Sequence, residues 1–171
     1  MKNSISAMIA ALLLSPAVFA DTNINSFAYQ LQQAGDLAVY SSDNRNTVTG
    51  SQVIHTRENL NVAGLAKQEV TADSVKVNMD GSRNSTTGVQ VMMARGNLNA
   101  TGTVEQIIFT SESSLNANDM TNSTAGLQVI EAKGSVNISG AAKQMLFADG
   151  ITVSQNGSNN SIVGAQIISN R

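Results

Sequence analysis

The chain of 171 residues has no cysteine, no tryptophan and a single proline, Pro16. The missing cysteine excludes disulfides and thiolate chemistry, so the fold must be stabilised in another way. Aromatic residues make up 4% of the chain and charged residues 13%, whereas 42% is hydrophobic, mostly small side chains. This composition argues against a conventional core of large residues. A formal net charge of −2 does not support nucleic-acid binding, which usually requires a basic surplus.

Catalytic groups are scarce as well. His55 is the only histidine, whereas a serine hydrolase needs a histidine beside its serine. A calcium-binding β-roll needs closely spaced aspartates, and the sequence contains no such cluster. We therefore expect a protein that is not an enzyme and that uses no metal or cofactor.

Residues 1–20 have the pattern of a secretory signal peptide. Lys2 provides a positive start, the run ISAMIAALLL is apolar, and Val18 and Ala20 match the small residues before a cleavage site. The run is too short to span a membrane, and no later stretch approaches ~20 apolar residues. The sequence thus predicts an exported chain that begins at Asp21, has no transmembrane segment and is extracellular or attached to the cell surface.

A 38-residue repeat runs through the mature chain without insertions. Identical residues recur in columns, for example Asn46, Asn84, Asn122 and Asn160; Gly50, Gly88, Gly126 and Gly164; and Gly64, Gly102 and Gly140. Counted from Asn46, the chain comprises a signal peptide (1–20), a partial N-terminal repeat (21–45), three repeats (46–83, 84–121 and 122–159) and a partial C-terminal repeat (160–171). Self-similarity at a fixed period is the signature of a stacked architecture.

Short apolar runs alternate with turns inside each repeat. The runs are rich in Val, Ile, Leu and Met and end at glycine or at turn pairs such as Asp80-Gly81 and Asn156-Gly157. Helical periodicity is absent from the mature chain. The pattern predicts an all-β solenoid of stacked cross-β layers, with about four copies of the repeat and strand-turn-strand half-units in each. One four-stranded layer per repeat is the preferred arrangement, and two rungs per repeat is the alternative.

Stacked copies align identical side chains at ~4.8 Å, so an Asn or Gln amide can bond to the amides above and below it. A column of buried amides satisfies itself, whereas a single buried amide is costly. The expected amide ladders are Gln30, Gln68, Gln106 and Gln144; Gln52, Gln90, Gln128 and Gln166; and Asn61, Asn99 and Asn137. Dry apolar ladders are expected at Val53, Val91 and Val129 and at Phe109 over Phe147.

One column carries positive charge in every copy: Arg57, Arg95, Lys133 and Arg171. Like charges stacked at ~4.8 Å repel, so this column must face solvent. It is interpreted either as a solvated edge that discourages lateral pairing or as a basic stripe that binds anionic polysaccharide, extracellular DNA or a cell surface. Lys67, Glu105 and Lys143 alternate in sign, which favours stacking without a ligand.

The repeat resembles those of bacterial functional-amyloid subunits, most closely the Fap-type fibre proteins and more distantly curlin. The residues that carry the resemblance occur in the order Asn122, Gly126, Gln128, Val129, Ala132, Gly134, Asn137 and Gln144. The sequence departs from the Fap pattern, because it lacks the Cys-x-x-Cys pair near the C-terminus and the long variable linkers. The resemblance implies a secreted biofilm fibre subunit, either major subunit or nucleator.

The expected function is therefore that of a structural subunit of an extracellular amyloid-like fibre for biofilm or surface adhesion. Its expected partners are further copies of itself, a related fibre subunit, a secretion pore and an anionic polysaccharide or surface, with no specific nucleic acid. The alternative is a soluble monomeric β-solenoid adhesin or binding module, which would need polar caps at both ends. An enzyme of the parallel β-helix type is a third, weaker reading.

Counting the repeats gives a further expectation about assembly. Because the repeat counted from Asn46 begins and ends partway through a copy, residues 21–45 and 160–171 look like complementary fragments of one layer. We expect subunits to polymerise head to tail by completing each other's split layer.

Overall fold

A computed structural model of the protein describes residues 21–170, so the predicted signal peptide and Arg171 lie outside the described residues. The described chain is a β-solenoid without helix, which confirms the predicted fold class. Its first two coils consist of β1 (Thr22–Ile24), β2 (Phe27–Ser42) and β3 (Val48–Thr56), then β4 (Leu60–Val62), β5 (Leu65–Asp80) and β6 (Thr86–Ala94). The third and fourth coils consist of β7 (Leu98–Ala100), β8 (Thr103–Asn118) and β9 (Thr124–Ala132), then β10 (Val136–Ile138), β11 (Ala141–Phe147), β12 (Gly150–Asn156) and β13 (Ile162–Asn170).

Equivalent strands of successive coils pair in parallel and form three sheets along the stack. The register equals the sequence repeat, since Gln68 pairs with Gln106 and Gln90 with Gln128, each 38 residues apart. One repeat therefore makes one coil. The alternative of two rungs per repeat is wrong, because the half-units that contain Gln30 and Gln52 lie in different sheets of the same coil.

Both ends of the described stack are whole coils. β1, β2 and β3 complete the first turn, and β10 to β13 complete the fourth, in which residues 160–170 continue the turn that β10 begins. A repeating sequence does not show at which residue a coil begins. Repeats counted from Asn46 therefore begin partway through a coil, although the coils themselves are whole. The expectation that the two ends are complementary half-layers is therefore wrong.

In each of the first three coils, the longest strand turns a convex corner at its middle. In β5, every second residue from Ala66 to Ala72 is buried, and then every second residue from Val75 to Met79. The two sets differ in parity, so two successive side chains, Asp73 and Ser74, point outward. In the fourth coil the same corner separates β11 from β12. The expected four sides are thus present, although two of them are usually one continuous strand.

The nine-residue strand bends the opposite way, toward the inside of the coil. In β6, Val89 packs into one hydrophobic cluster and Met92 into another, while Val91 lies in a third cluster on the outer face. The bend brings the outer side chains together, and a Cβ added at Gly88 would lie 3.1 Å from the Cγ2 of Val91. The sheet of nine-residue strands therefore has a concave outer surface.

The asparagine column that marks the repeat occupies a left-handed turn position. Asn46, Asn84, Asn122 and Asn160 all have positive φ, with values of 55°, 50°, 47° and 48°. Among residues with a side chain, asparagine tolerates this conformation best. The repeated asparagine thus fixes the turn before each nine-residue strand.

Candidate functional site

Two glutamine ladders run through the interior of the stack. In each ladder the Nε2 of one glutamine donates to the Oε1 of the glutamine one coil earlier. In one ladder the distances are 2.7 Å (Gln68 to Gln30), 2.9 Å (Gln106 to Gln68) and 2.8 Å (Gln144 to Gln106). In the other they are 3.1 Å (Gln90 to Gln52), 3.1 Å (Gln128 to Gln90) and 2.8 Å (Gln166 to Gln128).

The same amides also tie the two walls of the solenoid together, within one coil for Gln106 and from one coil to the next for Gln90. Gln106 Nε2 donates to the carbonyl of Val129 on the inward-bent strand at 3.1 Å, and Gln90 Nε2 donates to the carbonyl of Ile107 on the long strand at 2.9 Å. The ladders stand at the waist of the coil, between the cluster that contains Leu115 and the cluster that contains Leu98. Each central glutamine therefore donates both amide hydrogens and accepts one hydrogen bond at its oxygen, which is what allows it to be fully buried.

Asparagine ladders repeat this pattern nearer the surface. Asn61, Asn99 and Asn137 each donate from Nδ2 to the Oδ1 of the asparagine one coil earlier, at 2.9, 2.9 and 3.0 Å, and the series starts at Asn23. A further ladder, which was not among those expected from the sequence, joins Asn116 to Asn78 at 2.9 Å. Its signal was the shared residue type at the 38-residue spacing.

All of these ladders point in one direction along the stack. In the first coil, the amide donors of Gln30 and Asn23 face the open end, since no described coil precedes them. In the fourth coil, the oxygens Oε1 of Gln144 and Gln166 and Oδ1 of Asn137 face the other end. The N-terminal face of the described stack thus presents amide donors from Gln30 and Asn23, and the C-terminal face presents acceptors. Gln52 is the exception, because its Nε2 donates to the carbonyls of Gln30 and Glu69 at 3.0 and 2.8 Å.

The valine column lies outside the waist, in the concave surface of the nine-residue strands. Val91 and Val129 are fully buried there, Ile167 continues the column, and Val53 is half-buried. Arg95 reaches across the concavity and donates from Nη2 to the carbonyl of Asn46 at 3.4 Å. Within the basic column, Arg95 therefore lies over this apolar groove in addition to being exposed to solvent.

Three members of the basic column can be placed. Arg57, Arg95 and Lys133 are exposed, as like charges in a stack must be, and Arg171 lies outside the described residues. They act electrostatically on the neighbouring column, which begins with His55. Burial, followed by the charges of Arg95, Arg57 and Lys133, holds the pKa of His55 below its ordinary value.

The two ends of the His55 column share an unusual property. Within residues 21–170, neither the Nε2 of His55 nor the Oγ of Ser169 makes a hydrogen bond, although both atoms are buried. His55 lies in β3 of the first coil, and Ser169 lies at the equivalent position of β13 in the fourth. The column reads His55, Met93, Glu131 and Ser169, so no shared residue type in the sequence connects its two ends.

The phenylalanine ladder forms but is not dry. Phe109 and Phe147 stack with their ring centroids 4.8 Å apart and an interplanar angle of 8°. They are 40% and 51% exposed, because they lie on the outer face of the long strands. Phe27 and Tyr29 form a second aromatic pair on the same wall, 5.8 Å apart in the first coil. The expectation that the phenylalanines are enclosed is therefore wrong.

The alternating charges of Lys67, Glu105 and Lys143 continue the column that Tyr29 begins on this wall. The Nζ of Lys67 is 2.9 Å from the Oε2 of Glu69 and 3.8 Å from the Oε2 of Glu105. Tyr29 donates from its hydroxyl to Glu69 at 3.1 Å. The first ion pair lies within β5 and the second joins β5 to β8. Both stabilise the wall only modestly, because the groups are in contact with water.

Comparisons with protein-family models, with curated proteins and with solved structures find no match to this chain. Residues 21–170 contain no helix with the length and hydrophobicity that crossing a membrane requires.

Proposed function

We propose that the protein is a secreted, non-enzymatic structural subunit of an extracellular amyloid-like fibre that grows by end-to-end stacking of coils. The observation that carries this proposal is the complementarity of the two ends of the described stack. One end presents amide donors from Gln30 and Asn23, and the other presents amide acceptors from Gln144 and Asn137 at matching positions.

The backbone supports the same contact. Within the described residues, the strands of the first and fourth coils are hydrogen-bonded on one side only, so each end is an open sheet edge. A second copy placed on the fourth coil continues the internal register. Gln30 and Gln52 of the added copy then lie over Gln144 and Gln166 of the first copy. Within one chain, the two residues of each pair are equivalent positions three repeats of 38 residues apart. Such a contact joins unlike surfaces and grows an open filament.

The ladder direction also sets the orientation of the subunits. A joint between two C-terminal faces would oppose the Oε1 of Gln144 to another acceptor, and a joint between two N-terminal faces would oppose donors. Buried amide groups without partners cost about 1–3 kcal/mol each. The fibre is therefore polar, with every subunit in the same orientation.

We also propose that the predicted signal peptide directs the chain to export, that a secretion pore carries it out, and that a related fibre subunit is a partner in the fibre. The proposal includes contact with an anionic polysaccharide or cell surface, for which the exposed side chains of Arg57, Arg95 and Lys133 supply positive charge. The proposal covers either a major subunit or a nucleator.

The test is assembly of the mature chain after dilution from denaturant, followed by thioflavin fluorescence, electron microscopy and fibre diffraction. We expect unbranched fibres with a meridional reflection at ~4.8 Å. A monomer that persists over a wide concentration range would contradict the proposal and would favour the monomeric adhesin or binding module.

A matched pair of variants tests the end-to-end contact itself. In Gln144→Lys, the ammonium can reach water at the end of a monomer but becomes buried in a joint, so elongation should fall by at least about tenfold. Thr152→Lys adds the same charge to the same coil, in a column where Lys76 is already accommodated. It should leave elongation within about twofold of the parent, since an exposed charge interacts weakly. Equal effects would show that the fourth coil is not the growing surface.

A further inference from the structure

One corner of the coil allows no side chain. It is formed by Gly64, Gly102 and Gly140, one coil apart, and Ser26 occupies the same position in the first coil. A Cβ added at Gly64 would lie 2.0 Å from the carbonyl oxygen of Ser26, and one at Gly102 would lie 2.0 Å from that of Gly64. For Gly140 the distance to the carbonyl oxygen of Gly102 is 1.9 Å. At every step the missing Cβ would point at the coil before it.

Ser26 has the side chain that this corner forbids elsewhere. It is tolerated because no described coil precedes the first one, so its Cβ points out of the N-terminal face. A hydrogen bond accompanies each close approach. Thr103 donates from its backbone nitrogen to the carbonyl of Gly64 at 2.8 Å, and Ala141 donates to the carbonyl of Gly102 at 3.0 Å. In an end-to-end joint, Phe27 takes this donor position and Gly140 of the neighbouring copy takes the acceptor position.

We propose that Ser26 is a steric gate at the joint between two copies of this chain, which makes that joint weaker than the joints between coils within one copy. The inference rests on the proposed function. If the joint copied the internal geometry, the Cβ of Ser26 would lie about 2.0 Å from the carbonyl oxygen of Gly140, whereas real Cβ atoms essentially never approach below 3.0 Å. The corner therefore has to open by about 1 Å, 3.0 minus 2.0.

Opening the corner also lengthens the hydrogen bond that the carbonyl oxygen of Gly140 accepts in the joint. Displacing the corner by about 1 Å stretches the bond from Phe27 to Gly140 beyond the usual length. The corner can move, because Asn25 and Ser26 form an exposed bend between two strands, of which β1 has three residues. The other columns keep their register. Growth therefore continues, but each addition of a subunit lacks one backbone hydrogen bond that every internal joint has.

The gate is tested with Ser26→Gly and the control Ser26→Ala, both in the mature chain, by seeded elongation and by the concentration of monomer left at equilibrium. Ser26→Gly removes the Cβ, and we expect elongation about fivefold faster and residual monomer about fivefold lower, the effect of one net hydrogen bond. Ser26→Ala keeps the Cβ and should match the parent. Glycine also lowers the stability of the monomer slightly, so greater monomer stability cannot account for faster growth.

The possible outcomes separate the two proposals. Fibres that grow equally fast from all three proteins would overturn the gate and leave the fibre proposal intact. Acceleration by Ser26→Ala as well would also overturn the gate, because the hydroxyl and not the Cβ would then be responsible. If Ser26→Gly, with the obstacle removed, forms no fibres under any condition, both proposals fail.

Discussion

The central glutamines show how a polar side chain can be part of a solenoid core. Gln106 donates to Gln68 and to the carbonyl of Val129, and it accepts from Gln144. It is fully buried, so each of these bonds replaces water that cannot reach the site. The energy of the ladder therefore lies mainly in the partners that one missing member would leave unsatisfied.

Replacing Gln106 with leucine tests this directly. The change keeps the size and apolar packing but leaves the groups on Gln68, Gln144 and Val129 without partners. At about 1–3 kcal/mol for each of these three groups, we expect the free energy of unfolding to fall by on the order of 3–9 kcal/mol. Asn137→Ala is the control, because Asn137 is exposed and water can replace its single ladder bond. Comparable losses in urea denaturation would contradict the role assigned to the buried ladder.

His55 gives the folded chain a dependence on pH. Burial and the charges of Arg95, Arg57 and Lys133 lower its pKa from the ordinary value of 6.5. Below pH 6.5 the unfolded chain takes up a proton at this residue before the folded chain does, so folding is disfavoured as the pH falls. The contribution is complete above 6.5 and is lost progressively from there down to the folded-state pKa.

His55→Met should remove this part of the pH dependence. Met93 occupies the same column one coil later, so methionine fits the site. Between about pH 7.5 and about pH 5.5, the urea midpoint of the parent should fall more than that of the variant. All other ionisable groups are common to the two proteins, so only the difference between their pH dependences counts. Equal losses would show that His55 titrates as it does in the unfolded chain.

At the scale of the strand, the sequence predicts register far better than direction of bending. The 38-residue columns follow from residue identity alone and match the pairing. The two bends do not follow from residue identity, because the buried residues change from even to odd positions, or the reverse, within an uninterrupted strand. In β8, Val104 and Ile108 are buried at even positions and Leu115 at an odd position. Phe109 shares the parity of Leu115 but precedes the corner, which is why it lies outside.

The end coils were mispredicted for a related reason. A repeat defines the distance between equivalent residues but not where a turn begins, so Asn46 was an arbitrary origin. The ladder direction also could not be predicted, because an amide can be oriented either way until its neighbours are placed. Gln106 takes its orientation from the carbonyl of Val129 on the opposite wall.

The spacing between strands requires glycine at the corner formed by Gly64, Gly102 and Gly140. Gly102→Ala places a Cβ 2.0 Å from the carbonyl oxygen of Gly64, and neither backbone can move without breaking the neighbouring pairs. We expect the free energy of unfolding to fall by about 3 kcal/mol or more, at the upper end of the cost of overpacking.

Gly150→Ala is the matched control, since a Cβ at Gly150 meets nothing within 4 Å. It should leave stability unchanged or raise it by up to about 1 kcal/mol, because alanine restricts the unfolded chain. Chemical denaturation of both variants measures the difference, and a Gly102→Ala protein as stable as the parent would refute the tight spacing.

As a whole, the molecule is a one-dimensional stack in which each coil contacts only its neighbours. The middle strands β6 and β9 are buried along their whole length, whereas β12 in the fourth coil is exposed along its whole length. Stability in such an array is lowest at the ends, where a coil has one neighbour instead of two. The surfaces that we propose to join in the fibre are thus also the parts most open to local unfolding.

Hydrogen exchange of monomer and fibre should reflect this distribution. In the monomer, amides of β5, β6, β8 and β9 should exchange slowly and those of β10 and β12 quickly. On assembly, the gain in protection should be greatest in the first and fourth coils, because they acquire a second neighbour. Protection that increases equally in all coils, or only on the outer wall, would indicate lateral association without end-to-end stacking.

The outer wall carries different side chains in different coils, which gives the proposed fibre a second, longer repeat distance. The aromatic pair of Phe27 and Tyr29 belongs to the first coil, whereas Phe109 and Phe147 belong to the third and fourth. Four coils at ~4.8 Å make each subunit ~19 Å long. The backbone of such a filament repeats at every coil, ~4.8 Å, whereas each aromatic pair repeats only once per subunit, ~19 Å. A molecule that binds one aromatic pair therefore finds an identical site every ~19 Å along the filament.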